Sequence, residues 1–151
     1  MKFLLFLSFI STFVLVNGAC SPGWIQGNDG SGLCYKFAMR NETRSMSNQK
    51  CLAANGNLAT IKDSFTSALL SATLEDMICN IDIFTWLGGN LVGGKWQWHD
   101  GTPFSYTNWA QGQPDGGSCL AFQPFNGLWY ALNCESMKAT YICELSSSSD
   151  N

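Results

Sequence analysis

The chain has 151 residues, a formal net charge of -3, 46% hydrophobic and only 13% charged residues. That length favours one domain, and so apolar a composition excludes a disordered chain. An acidic balance without Lys/Arg clusters excludes the basic footprint of a nucleic-acid binder.

Residues 1–18 read as a secretory signal peptide. Lys2 supplies the positive start, Phe3 to Val16 is almost wholly apolar, and small residues lead to a cleavage point near Gly18–Ala19. The competing assignments are an N-terminal membrane anchor and a buried helix. The run is short for a membrane span, which takes roughly 20 residues, and no second long apolar run follows, so no span is expected. Secretion fits the cysteine content: Cys20, Cys34, Cys51, Cys79, Cys119, Cys134 and Cys143. In an oxidising compartment these are disulfide candidates. No C-x-x-C pair occurs and there is a single His, which argues against a zinc site. Spacing alone does not choose a pairing, and an odd number leaves one thiol free or intermolecular.

In chain order, Trp24-Ile25 and Cys34-Tyr35-Lys36-Phe37 flank a Gly/Asn/Asp/Ser stretch and predict a hairpin. Ser45 or Ser47 is expected to cap a helix running through Gln49, Cys51, Leu52, Ala53 and Ala54, with Asn55-Gly56-Asn57 ending it. Leu58, Ala59 and Ile61 suggest a strand edge. A second helix is expected to start at Asp63 or Ser64 and to bury Phe65, Ala68, Leu69, Ala72 and Leu74. Phe84-Thr85-Trp86-Leu87 predicts a strand, left sharply at Gly88-Gly89. Trp96-Gln97-Trp98-His99 alternates as a half-buried strand does, and Asp100-Gly101-Thr102-Pro103 makes a turn. Residues 104–118 form a loop too long for a connector. Two further strands are predicted at Cys119–Phe122 and Thr140–Cys143, and a disordered polar tail at 145–151. Helices followed by strands and long loops give an α+β class.

Trp86-Leu87-Gly88, the series from Trp96 and Trp98 through Asp100-Gly101-Thr102-Pro103 and Tyr106 to Asn108-Trp109, and Gln113-Pro114-Asp115 form an ordered set. Taken together these segments resemble the C-type lectin-like domain in its long form. The resemblance covers residues 20–144. It implies two helices flanking small antiparallel sheets with a long binding loop. It also implies the bridges Cys20–Cys34, Cys51–Cys143 and Cys119–Cys134, with Cys79 unpaired.

Sugar-binding members of that family hold Ca2+ with carboxylates and amides that also bond two vicinal hydroxyls of the sugar. By this resemblance Gln113 and Asp115 match the first two metal and ligand positions, Pro114 matches a cis-proline, and the Gln-Pro-Asp order is the galactose type. The chain departs from the pattern elsewhere. Gly117 stands where a Glu is usual, Trp129-Tyr130-Ala131 replaces Trp-Asn-Asp, and the auxiliary calcium region reads Asn90 to Gly94. Calcium takes six to eight oxygen ligands, so weak or vestigial binding is expected and no cofactor is required.

The resemblance implies carbohydrate binding at a degenerate calcium site, with a possible place in innate defence. The alternative is calcium-independent binding of a protein or cell-surface ligand. Candidate ligand contacts are Gln113, Asp115, Trp129 and Tyr130. The face from Asp100 to Trp129 also carries Phe104, Tyr106, Phe122 and Phe125. For most of Trp96, Trp98, Trp109 and Trp129 core packing is the favoured role. Asn41-Glu42-Thr43 is a glycosylation sequon, and His99 reads as a surface residue. Without a G-x-S-x-G, a metal pair or a partner for its lone His, the chain is not expected to be an enzyme. A monomer and a Cys79-linked dimer both remain open.

Overall fold

The computed structural model describes residues 20–27, 32–78 and 83–147. The expected signal peptide, Cys79 and residues 148–151 lie outside them. Eight strands and two helices are present among the described residues: β1 (Ile25–Gln26), β2 (Leu33–Glu42), α1 (Arg44–Ala53), β3 (Asn57–Leu58), α2 (Ser64–Glu75), β4 (Thr85–Val92), β5 (Lys95–Gln97), β6 (Cys119–Gln123), β7 (Leu128–Leu132) and β8 (Ala139–Ser146). The strands form one sheet in the order β1-β2-β8-β4-β6-β7, with β3 pairing β8 and β5 pairing β4. All pairs are antiparallel except β4 with β8, which run parallel at Thr85–Thr140 and Trp86–Tyr141. The α+β class and the opening hairpin hold, with Ile25 opposite Tyr35.

Both helices begin on a side-chain cap. For α1 the cap is Thr43, whose Oγ1 accepts from Met46 N. Neither Ser45 nor Ser47 caps it: Ser47 is buried inside the helix and donates its hydroxyl to Thr43 O. Asp63 caps α2, its carboxylate accepting from Thr66 N at 2.7 Å and from Thr66 Oγ1 at 3.1 Å. The buried face of α2 is Thr66, Ser67, Leu70 and Leu74. Of the residues expected there only Leu74 is correct in full; Phe65 is 61% exposed. Phe65, Leu69 and Ala72 have helical spacing too, but the face that meets the core lies one residue further on.

Other boundaries shift for similar tertiary reasons. The expected strand at residues 84–87 extends to Val92, so Gly88-Gly89 lies inside β4 and not at its exit. Strand β5 stops at Gln97, leaving Trp98 and His99 just beyond it. Strand β7 carries Trp129-Tyr130-Ala131 and was not among the predicted strands. Leu145 and Ser146, expected in the tail, instead belong to β8, paired with Cys34 and Leu33.

Three disulfides join Cys20 to Cys34, Cys51 to Cys143 and Cys119 to Cys134. The second ties α1 to β8 across 92 residues, and the third ties the start of β6 to the segment after β7 across 15. In the chain-entropy model such closures contribute about 4.7 kcal/mol for a loop near 100 residues and about 3 kcal/mol for one of 15. The core divides into two clusters. One centres on Leu58, Trp86, Ala121 and the Cys51–Cys143 bridge. The other lies under the long loop and includes Leu70, Leu87, Trp98, Leu120, Phe122 and Trp129.

Candidate functional site: the long-loop face

The long loop leaves the sheet after β5 through a polar corner. Asp100 Oδ1 accepts from Thr102 N at 2.9 Å and from Thr102 Oγ1 at 2.6 Å. These two bonds, helped by Lys62 at 3.6 Å, hold the Asp100 carboxyl below its usual range. His99 is exposed at its backbone, as a surface residue should be. Its ring turns inward, however, with Nε2 3.2 Å from Glu144 Oε1. Glu144 is buried and also accepts from Thr60 N and Thr60 Oγ1, so this carboxylate is well satisfied.

Past the corner, aromatic side chains fold back onto Trp129. Trp98, Phe104, Tyr106 and Trp109 surround its ring edge-on, with centroids between 5.4 and 5.8 Å. Trp129 is fully buried. It therefore cannot be the ligand contact expected at that position; it is the post around which the loop packs. Trp98 is buried as well, while Trp96 and Trp109 are partly buried against the same cluster. Phe122 is likewise fully buried, and Phe104, Tyr106 and Tyr130 are half-buried. Side chains alternate along a strand, so Tyr130 takes the other face of β7. There its ring meets Phe84 edge-on and its hydroxyl lies 3.4 Å from Gln123 Oε1. Of the aromatics expected on this face only Phe125 is well exposed, at 62%.

The second half of the loop, residues 110–118, is held by polar contacts. Ala110 N donates to Trp129 O, Gln113 N donates to Ala110 O, and the Gln113–Pro114 bond is cis, as the resemblance implies. Gln113 Oε1 accepts from Ala131 N at 2.7 Å and from Asp115 N at 3.2 Å. Both partners are N–H donors, which fixes the atom as the amide oxygen. An amide oxygen has two lone pairs, and both are engaged within the protein. Asp115 is exposed and is the sole carboxylate between residues 101 and 134.

Gly117 meets a harder constraint. A Cβ there would stand 2.1 Å from Leu132 C and 2.2 Å from Leu132 O. Only glycine lets the chain pass so close to β7, so a glutamate side chain has no room without a backbone shift. Asn90 to Gly94 closes the β4–β5 hairpin, with Asn90 opposite both Gln97 and Cys119. Among the described residues no group of three His, Cys, Asp or Glu side chains is placed to hold a metal ion.

The family model of the Lectin C-type domain matches residues 40–145. The chain belongs to the C-type lectin family. C-type lectin lectoxin-Lio3 of Erythrolamprus poecilogyrus is 31% identical over 152 residues, a match covering 95% of this chain and 92% of the relative. Galactose-specific lectin nattectin of Thalassophryne nattereri is 27% identical over 131 residues, covering 83% of this chain and 79% of that one. Among solved structures, the SPL-1–GlcNAc complex superposes with a TM-score of 0.76 at 23% identity, over 88% of this chain and 99% of the other. That likeness shows the fold. As a member of a family of lectins, this C-type lectin domain is a binding module and not an enzyme. No helix among its described residues is long and apolar enough to cross a membrane.

The lectin domain also brings together residues that sequence reasoning did not connect. Ser67 and Ser71 of α2 come under Gly127 in the β6–β7 turn, beside Asn108 of the long loop. The one local signal was a pair of serines four apart on a helix otherwise read for its apolar side.

Proposed function

We propose that this protein is a secreted carbohydrate-binding C-type lectin that holds its ligand on the loop face between Asp100 and Trp129 without calcium. The observation that carries this reading is the pair of backbone N–H groups on Gln113 Oε1. Calcium takes six to eight oxygens at about 2.3–2.6 Å. Here the amide oxygen would have to release Ala131 N and Asp115 N first. Gly117 and Ala131 bring no side-chain oxygen, and Asp115 remains as a single exposed carboxylate. This donor set does not fit the ion, so no step of recognition is assigned to it.

Binding residues concentrate on loops held by a rigid scaffold. The Cys119–Cys134 bridge and the aromatic cluster around Trp129 brace this loop at both ends, which lowers the ordering cost of binding. Secretion is supported by the charged-then-apolar leader and by the three disulfides. Asn41 is exposed near the end of β2, which supports an N-linked glycan there.

A glycan array probed with the intact protein tests the proposal, in calcium and in chelator, for the natural chain and for Asp115→Ala. Sugar binding that persists in chelator and in the variant supports it. Sugar binding that either treatment abolishes, with the fold intact, returns the site to calcium-dependent galactose recognition. Binding to cell surfaces that no free sugar competes would favour a protein ligand on the same face.

A further inference from the structure

The proposed face contains a groove unlike the Gln113 corner in chemistry. It lies between α2 and the β6–β7 turn and has a volume of about 290 Å³. Its walls include Ser71 and Glu75 from the helix, Tyr106 and Asn108 from the long loop, and Phe125 and Gly127 from the turn. We infer that this groove is a calcium-free subsite for a neutral pyranose, stacked on Phe125 and hydrogen-bonded by the polar groups of its walls. The inference rests on the proposed function and assigns it a place and a ligand class.

Ser71 provides the first argument. Its Oγ is buried and has no hydrogen-bond partner in the protein. Buried polar atoms are almost always paired, and Ser71 is one of the residues that line the groove. Gly127 packs beside it: at φ +68° a Cβ there would sit 3.6 Å from Ser71 Oγ and 3.7 Å from Ser67 Oγ. Asn108 fixes the same edge by donating Nδ2 to Gly127 O at 2.8 Å.

The second argument is how Phe125 is held. Its ring is 62% exposed, yet the turn that carries it is tightly bonded. Asn126 Nδ2 donates to Gln123 Oε1 at 2.9 Å, Leu128 N donates to Asn126 Oδ1 at 2.8 Å, and Gly127 N donates to Gln123 O at 2.9 Å. Pro124 beside it is buried. The turn thus presents an exposed aromatic ring on a fixed backbone, and aromatics on ordered backbone make efficient binding anchors.

A pyranose has one apolar C–H face and a ring of hydroxyls around its edge. An aromatic plane next to hydroxyl, amide and carboxylate groups complements both. The groove's one charged lining residue is Glu75, and no Lys or Arg lines it. Glu75 accepts from sugar hydroxyls and repels a carboxylate or sulfate, so a neutral sugar is preferred over a sialylated or sulfated one.

The test is amide chemical-shift mapping of the intact protein in chelator, titrated with methyl β-galactoside, methyl β-N-acetylglucosaminide and sialyllactose. Shifts at Ser71, Tyr106, Phe125, Asn126 and Gly127 with a neutral sugar are expected, with weaker ones for sialyllactose. Phe125→Ala, at an exposed position, should weaken binding several-fold. Ala68→Trp, also exposed and lining the groove, should abolish it by filling the space. No shift at these residues, or unchanged affinity in both variants, overturns the groove. Calcium-free sugar shifts around Gln113–Asp115 overturn it while leaving the calcium-free reading intact; binding that appears only with calcium overturns both.

Discussion

The two halves of the long loop are held by different forces. Residues 98–109 return to the core through Trp98, Phe104, Tyr106 and Trp109, gathered around a fully buried Trp129. Residues 110–118 bury far less, with Gln111, Gly112, Pro114, Asp115, Gly116 and Ser118 all exposed. Their shape depends on Gln113 reaching back to Ala131 and on Gly117 passing close to Leu132. The first half is fixed by burial. The second half is fixed by the very amide that a calcium site would require. The structure gives the glutamine a structural role, its amide oxygen accepting from Ala131 N and Asp115 N.

The largest effect should come from the buried half. Trp129→Ala removes the ring that four aromatics contact edge-on, and loss of a buried Trp typically costs about 3–5 kcal/mol. Chemical denaturation should show this as a large fall in midpoint; a change below about 1 kcal/mol would mean the cluster is loosely packed. Gly117→Glu, which restores the family's usual residue, should cost roughly 1–3 kcal/mol because the added Cβ meets the Leu132 backbone. It should bring no gain in calcium affinity by calorimetry. Stabilisation by calcium in that variant would show that β7 can yield.

Gln113→Ala should cost about 1 kcal/mol, the net worth of an ordinary hydrogen bond, and equally with and without calcium. Thermal melts in calcium and in chelator measure both parts of that expectation. The smallest effect belongs to the Asp100 corner. Thr102 lowers the Asp100 pKa in the folded state. The resulting stability is present in full above the unfolded value near 3.9 and disappears as pH falls through the lower folded value. Thr102→Val should therefore reduce stability at neutral pH by less than about 1 kcal/mol, as for an exposed charged group. The difference should vanish in strong acid; a difference that persists there would assign it to packing instead.

The sequence made some of this legible and hid the rest for physical reasons. The start of α2 is a local event, decided by Thr66 three residues on, and the sequence narrowed it to Asp63 or Ser64. The α1 cap was misplaced because Thr43, Ser45 and Ser47 are all competent caps and tertiary packing buries Ser47. The helical spacing of Phe65, Leu69 and Ala72 matched the period of α2 but not the face, which depends on what lies beneath it. Gly88-Gly89 looked like an exit because glycine permits turns. In the sheet, these residues instead allow a close approach: a Cβ on Gly88 would meet Leu58 O at 2.6 Å. The Gln113–Ala131 bond joins residues 18 apart, and no local pattern records it. Trp129-Tyr130-Ala131 drew notice for the ligands it lacks, which obscured a strand whose alternation buries Trp129 and Ala131.

Hydrogen exchange at the Ala131 amide, followed with and without calcium, tests the Gln113 assignment most directly. With Gln113 Oε1 bonded to Ala131 N at 2.7 Å, the amide should be protected, unchanged by calcium, and exposed to exchange in Gln113→Ala. An Ala131 amide that loses protection when calcium is added would show the glutamine oxygen leaving the backbone for the metal, contradicting calcium-free recognition.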